Sequence, residues 1–594
     1  MINEETGKSS DGRYSALRSV GIFRRLWQFI AFGSTSIDFV RFRVGAVASS
    51  EVGIEIVLDA LRVNGERVIA DIVGLSKAGH TRNRQALFAL AVAASYGAAS
   101  ETESGSNDDT SPRGRLLNAV DDKARDIRTL ALRSLPEIAT SFPELAVFID
   151  FLKPMRRWGR GVRTGIIAWF ESMDGSELAI QAIHYRQYRE WSMQDVMRLC
   201  HLEKLFAGKS GKREDRRLLY GWIAHELPTM SSIQKTSHDG KSVDREPWRG
   251  EREIRWNKKD VTSARREFQV INTFHRIIDA GTNDELISSA LKESKGFPPQ
   301  AIPSHLLRNT SVWSILLGDM DVQQILTNLP RIAASGLLTE DSEELAMIMS
   351  KVSDEVLVGN SAIHPITIMR AIRTYEAGVH YSDPNMTWTP IPELIASMRE
   401  GLIGSLGLMY RTNMRYLIAM ECSIDMSRTL VGPLPLVKKK YGGLLTAADV
   451  AYVMAMTTKE AERECSVVGL VHGEQGVGVV PMDFTSVPHV GNVFSSRGAA
   501  GVIDVASIVR HARVSDISVD VIVVFSCSKT NPAGISDELA AYEKKTGDFV
   551  MLVMVDLSSA HPPQFDPDKR VMTISGFNVE AHRAITSFVS GLSY

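Results

Sequence analysis

VDVIVVFSCSKTNPAGISDELAAYEKKTGDFVMLVMV, residues 519–555, decides the fold of the carboxyl-terminal part of the chain. Val519–Phe525 and Phe549–Val555 are short, continuous apolar runs rich in β-branched residues. Runs of that length are what strands covered on both faces of a parallel sheet require. Ser536–Lys545, between them, spaces its apolar residues as a helix does. Working outward, Tyr416–Met420 (YLIAM), Ser466–Val471 (SVVGLV) and Arg570–Ile574 (RVMTI) add strands. Thr446–Glu464, Ile503–Arg513 and Val579–Leu592 add helices. Such alternation specifies a doubly wound α/β domain over 411–594. Ligands of such sheets bind at loops leaving the carboxyl ends of strands. The first of these loops, Glu421-Cys422-Ser423-Ile424-Asp425, sets two carboxylates and a hydroxyl at alternate positions. That pattern suits a hard cation, and it equally suits a loop that is polar because it is exposed.

Upstream the texture is helical. Glu51–Arg62, Arg84–Tyr96, Arg125–Leu135 and Gly161–Phe170 repeat apolar residues every three or four positions. Many short helices broken by Gly, Pro or Ser predict stacked helical pairs over 21–405, without a fixed repeat length. Residues 1–20 read as a flexible amino terminus. Ala98–Arg113 (AASETESGSNDDTSPR) reads as a flexible loop, and 209–212 and 230–247 as polar surface connections.

At 594 residues the chain exceeds what one core supports. The first fifteen residues lack the apolar segment of a secretory signal. The longest apolar runs, Leu87–Ala99 and Phe549–Val555, fall short of the ~20 residues of a membrane span. Four cysteines without metal-ligand spacing predict reduced thiols and a cytoplasmic protein. The net charge of −2 conceals an uneven distribution. Residues 151–260 carry 22 Lys and Arg against 15 Asp and Glu, and hold six of the nine tryptophans: Trp158, Trp169, Trp191, Trp222, Trp248 and Trp256. Cations mixed with aromatics suit a phosphate backbone with unstacked bases; a solvated surface over ordinary core tryptophans would look the same.

Five ordered segments resemble the Ro autoantigen (TROVE) family. They are Leu26–Ser34 (LWQFIAFGS), Gly79–Ala94 (GHTRNRQALFALAVAA), Trp158–Phe170 (WGRGVRTGIIAWF), Tyr185–Leu202 (YRQYREWSMQDVMRLCHL) and Ser361–Tyr375 (SAIHPITIMRAIRTY). The fourth is the most specific. The resemblance implies a ring of HEAT-like helical repeats followed by a von Willebrand factor A-type domain. It also implies a non-enzymatic scaffold in RNA quality control or processing. Its partners would be a small structured noncoding (Y-like) RNA and single-stranded RNA ends, with an exoribonuclease as a further candidate. The chain would work as a monomer around one RNA, away from membranes.

The residues expected to bind RNA follow from these segments. If the chain is helical after Pro154, Lys153, Arg156, Arg157 and Arg160 share one face, which Arg163 extends. Such a row can follow phosphates without reading bases. Arg186 and Arg189 are candidate phosphate contacts, and Tyr185 and Tyr188 candidate stacking groups. Trp191, Leu199 and Leu202 read as core, and Ser192 as the cap of a helix beginning at Met193, with Asp195 in its first turn. His201 is a candidate contact, although a hydrogen-bonded structural role suits it better. Arg82, Arg84 and Arg308 are further candidates. The resembled family commonly carries His where this chain has Met193, whose thioether cannot donate a hydrogen bond.

An A-type domain, which the resemblance implies, usually holds Mg²⁺ through Asp-x-Ser-x-Ser, a Thr on a second loop and an Asp on a third. Here the candidates Glu421, Ser423 and Asp425 form a degenerate first loop. Arg497–Gly501 has no threonine, and Ser526-Cys527-Ser528 replaces the third-loop Asp. No cofactor is implied with certainty, and Mg²⁺ or another divalent cation at this altered site is the open case. A domain that works without metal fits the substitutions better. No P-loop, GxSxG, HExxH or paired catalytic Cys and His is present. The alternative to an RNA scaffold is a protein-interaction module whose A-type domain binds a partner, with RNA binding reduced or lost.

Overall fold

The structure is a computed structural model. It describes residues 22–32, 39–41, 51–77, 83–98, 112–119, 121–156, 158–185, 188–201, 219–226, 266–294, 296–361, 363–380, 383, 385–407, 411–431, 444–473, 476–482, 501–531, 533–558, 570–577 and 579–590. The chain divides into two compact units. One comprises Ser49–Ala78 and Asn83–Met320, the other Met1–Ala48, Gly79–Arg82 and Asp321–Tyr594.

The described part of the first unit is helical. Glu51–Lys77 runs well beyond the predicted Arg62, but is interrupted at Asn64, where the backbone is extended and the side-chain carbonyl accepts from the Arg67 N–H. That is an N-cap in all but name: the second segment starts with its own capping asparagine. Asn83–Ser95 (NRQALFALAVAAS) is covered on nearly every side. An all-round apolar helix must lie inside a unit, and this one packs between Glu51–Lys77 and Phe142–Leu152. Phe88 meets Phe151 edge to face at 5.3 Å. Ala124–Arg133 and Arg160–Ser172 cross closely at Gly165, where a Cβ would lie 2.9 Å from Leu132 Cβ. Gly175–His184 and Met193–Cys200 follow, the latter capped by Ser192 Oγ on the Asp195 N–H as expected.

The second unit carries the sheet. In chain order its strands are β1 (Phe39–Arg41), β2 (Arg415–Glu421), β3 (Glu464–Gly473), β4 (Gly476–Pro481), β5 (Val521–Ser526), β6 (Met551–Asp556) and β7 (Val571–Ser575). Across the sheet they run β1-β7-β6-β5-β2-β3-β4, all parallel except the antiparallel β3–β4 pair. All of β5, β6 and β7 is buried, which is why they read as unbroken apolar runs. Helices Ala447–Ala461, Val505–Val514, Ile535–Thr546 and Val579–Val589 alternate with the strands as expected. Two strands of this seven-stranded sheet were not expected. Gly476–Pro481 is broken by Gly478, and Phe39–Arg41 comes from the far amino-terminal segment to extend β7.

Strand order reverses at β2: its successor β3 lies on one side and β5 on the other. The carboxyl ends of β2 and β5 thus flank the topological switch point, the usual ligand crevice of such a sheet. The same unit includes the helices Val322–Ala334, Glu343–Ser353, Pro365–Glu376 and Pro392–Leu406. Arg373 joins the third of these to the sheet's helix Ala447–Ala461 through two bonds to Asp449 Oδ1, at 2.6 and 3.1 Å. Among the described residues, no helix is long and apolar enough to cross a membrane.

Candidate nucleic-acid interface

The expected single basic face does not form. Helix Phe142–Leu152 ends at Lys153, the chain turns through Pro154 and Met155, and a new helix starts at Arg160 behind the extended Gly159. Pro154 has no N–H to extend the first helix, and its ring crowds the preceding turn. Lys153 and Arg160 therefore sit on separate helix ends rather than on one row. Arg157, with Arg82 and Arg186, lies outside the described residues.

What the turn produces instead is a basic and aromatic cluster organised by Asp150. Its Oδ1 accepts from the Trp191 indole N–H at 2.7 Å, and its Oδ2 from Arg189 Nη1 at 3.2 Å. Trp191 is held further by Tyr188, through reciprocal backbone bonds of 2.8 and 3.1 Å. Trp158 stacks on Trp191 with ring centroids 6.3 Å apart and planes at 21°. Lys153 Nζ stands 5.4 Å from the Trp191 ring, and Arg189 Cζ 5.7 Å from the Tyr188 ring. Tyr185 meets Tyr188 edge to face at 6.4 Å. Arg84 lies over the Phe151 ring at 5.7 Å, and burial, followed by the nearby Arg189 charge, pushes its guanidinium below the usual arginine range. Lys153 is 65% exposed and Arg189 41%, so both charges face solvent. The buried Nε atoms of Arg84 and Arg163 and the Trp158 indole N–H have no hydrogen-bond partner among the described residues. Arg156 is tied by Nη1 to the Ala94 carbonyl at 2.5 Å.

The six tryptophans of the basic segment therefore divide. Trp169 and Trp222 are core residues, bonded through their indole N–H to Ala139 O and His275 Nε2. Trp158 and Trp191 are half-buried partners in a surface stack, while Trp248 and Trp256 lie outside the described residues. Trp191 is thus no core residue, and Leu199, also expected in the core, is 42% exposed. Leu202 lies outside the described residues. His201 is exposed and ends helix Met193–Cys200 in the left-handed conformation, with φ 52°. Arg308 ends a short turn, Leu306–Arg308, beside His305. Asp150 and Trp158 were missed as site residues. Asp150 could have been suspected as the one acid at the end of the apolar run FPELAVFIDFL.

Met193, where the resembled family has His, is fully buried at the first turn of its helix. In this chain the position is core.

In the α/β unit, Glu421 and Ser423 are fully buried, while Asp425 is half-buried in the short helix Ile424–Arg428. The second metal-loop segment, 497–500, lies outside the described residues. Among the described residues, no three His, Cys, Asp or Glu side chains gather as a metal would need. All four cysteines are free, and burial pushes Cys200, Cys465 and Cys527 up to about 12.

A helical amino-terminal region followed by a mostly parallel α/β sheet defines a helical protein with a von Willebrand factor A-type domain. Comparison with known proteins agrees. Residues 415–589 match the family described as the Ro60 vWA domain. The chain is 23% identical over 479 residues to a Deinococcus radiodurans protein named RNA-binding protein RO60, covering 80% of this chain and 79% of that one. It is 22% identical over 510 residues to the Caenorhabditis elegans protein of the same name, covering 80% and 75%. The crystal structure of the Deinococcus radiodurans Ro (RSR) protein superposes with a TM-score of 0.73 at 20% identity, over 96% of this chain and all of that one. The chain is thus similar to Ro proteins over most of its length, and its carboxyl-terminal domain matches their A-type domain.

Proposed function

We propose that this chain is an RNA-binding scaffold for a small structured noncoding RNA of the Y class. The observation that carries the reading is the Asp150-centred cluster, in which exposed cations surround a two-tryptophan stack. Lys153, Arg160 and Arg189 follow phosphates, and Arg84, Arg156 and Arg163 add to the positive field. Trp158 and Trp191 receive an unpaired base, since base stacking needs only an accessible aromatic face. Tyr185 and Tyr188, edge to face with each other, are further stacking groups, and the two similar proteins named as RNA-binding support the same reading. The protein makes and breaks no bond itself. It works in the cytoplasm, as a monomer of HEAT-like helical pairs, and presents single-stranded RNA ends to an exoribonuclease in RNA quality control. His201 and Arg308, remote in the chain from Asp150, are lesser contacts.

The test is to purify the full chain from its native host, sequence the RNA that accompanies it, and measure binding of that RNA across a salt series. A discrete small RNA is expected, bound with a salt slope that flattens by about 2–3 in Lys153→Ala/Arg160→Ala/Arg189→Ala, about 0.7–0.9 per lost phosphate contact. Bulk RNA, or a slope the triple change leaves alone, would overturn the assignment. Incubating the RNA with and without EDTA tests the scaffold role; cleavage abolished by one carboxylate substitution would make the chain a nuclease.

A further inference from the structure

The crevice at the switch point, between the carboxyl ends of β2 and β5, is where an A-type domain would hold its divalent cation. The side chains here do not fit one. Glu421, the last residue of β2, turns its carboxylate into the crevice and accepts five hydrogen bonds. Oε1 accepts from Ser423 Oγ at 2.6 Å and from Ser528 Oγ at 2.5 Å. Oε2 accepts from Ser526 Oγ at 2.9 Å, the Cys527 N–H at 2.9 Å and the Ser528 N–H at 3.1 Å. A carboxylate offers about four lone-pair positions, and all are taken by protein donors. The whole group is sealed: Glu421 and Ser423 are 0% exposed, Ser526 2% and Ser528 8%.

The polarity of the third loop is the stronger argument. A cation site needs oxygen acceptors converging on one point, and Mg²⁺ demands them in near-octahedral array. Ser526-Cys527-Ser528 instead converges two backbone N–H groups and two hydroxyl protons. Successive N–H groups aimed at one spot form a concavity for an anion, which repels a cation. The longer reach of glutamate is what seats its carboxylate in that concavity, bridging the β2 and β5 loops.

We propose that Glu421 is a built-in anionic lock that replaces the divalent cation at this crevice, so that the domain closes its strand-end loops without metal. Three substitutions form one device: Glu at the end of β2 supplies the anion, and Ser526 and Ser528 supply donors where an acid would supply ligands. Asp425, half-buried and outside this set of bonds, is not part of it. It follows that the domain does not capture an acidic partner residue through a bound metal.

The test uses the full chain and Mg²⁺ alone as probe. Calorimetric titration of the unmodified protein with Mg²⁺ to millimolar concentration is expected to give no saturable heat, and the melting temperature in Mg²⁺ and in EDTA should agree within about 1 °C. Glu421→Gln leaves one carbonyl oxygen for five donors and turns an amide NH₂ toward groups that now donate, and should lower the melting temperature by about 5 °C or more. Asp425→Ala should leave it within about 1 °C of wild type. Saturable Mg²⁺ binding in the unmodified chain that Asp425→Ala abolishes would overturn the lock, as would a Glu421→Gln protein that melts with the wild type. Should Glu421→Gln fail to fold, the titration and EDTA arms on the unmodified chain still decide the matter.

Discussion

Asp150 and Glu421 are both carboxylates at the carboxyl end of a regular element, and the donors around them are arranged in opposite ways. Asp150 takes one bond from Trp191 and one from Arg189, and leaves the neighbouring Lys153 and the Trp158–Trp191 stack facing outward. Glu421 takes five bonds and is fully buried. An exposed cation near an aromatic face costs little to keep solvated, and it gains when a phosphate displaces its water. A buried carboxylate cannot wait for a ligand in that way, because leaving it without partners costs far more than an ordinary surface group. The difference separates a surface built to receive something from a joint that is already complete. Changes at the first should alter RNA affinity and spare stability; changes at the second should do the reverse.

The largest expected effect is at the open surface. Lys153→Ala/Arg160→Ala/Arg189→Ala should weaken RNA binding about 100-fold at 0.15 M salt, the sum of three phosphate contacts, while the denaturant midpoint stays near wild type. Filter binding and urea unfolding on the same samples check both halves. A protein that binds as before but unfolds earlier would break the contrast.

Next comes Met193→His, which places the resembled family's side chain at a position this chain has buried completely. The imidazole would enter apolar surroundings without a partner, costing about 1–3 kcal/mol of stability. RNA affinity should not rise. Tighter binding with unchanged unfolding would show that the position still belongs to the surface.

Trp158→Ala should be smaller again. Losing one stacking face costs about tenfold in affinity for RNA with an unpaired segment, and leaves the salt slope unchanged because no phosphate contact is lost. That pairing of outcomes distinguishes it from the cation triple. A flattened slope would mean that Trp158 acts by positioning Lys153 or its neighbours.

The sequence made these two regions legible to different degrees. Strands β5, β6 and β7 were plain because burial on both faces removes polar alternation. Gly476–Pro481 was not, since Gly478 breaks its apolar run. Phe39–Arg41 was hidden because three residues carry no period, and its partner Thr573 is more than 500 positions away. The excess of cations and tryptophans could be counted, but their arrangement could not. A helical face was expected through a stretch that Pro154 and Gly159 break, and Asp150 reaches Trp191 across 41 positions. Likewise the unusual loop residues Glu421 and Ser526–Ser528 were visible singly. That one accepts from the others depends on β2 and β5 being neighbours, a property of strand order.

The smallest effect concerns a second closed polar pair, His364 and His582, and it tests the stability half of the contrast. His364 caps helix Pro365–Glu376, its Nδ1 accepting the Ile366 N–H at 3.1 Å. That bond requires the ring proton on Nε2, which therefore donates to His582 Nδ1 at 2.8 Å. Neither ring can take a second proton without losing a bond it now accepts. Burial lowers both, with each also facing a positive neighbour, His364 to about 2 and His582 to about 4. An unfolded histidine titrates near 6.5. Below that pH the unfolded chain binds protons that the folded chain refuses, so the contribution is complete above about pH 6.5 and declines as pH falls toward 4. From pH 7 to 5.5 the loss should be about 1 kcal/mol for each ring. His582→Asn offers a carbonyl oxygen near the place of Nδ1 and removes one titrating group, so its stability should fall about half as much over the same range. Urea midpoints at pH 7 and 5.5 for both proteins measure the difference. A pH dependence that His582→Asn leaves intact would show that this pair is not the group the acid reaches.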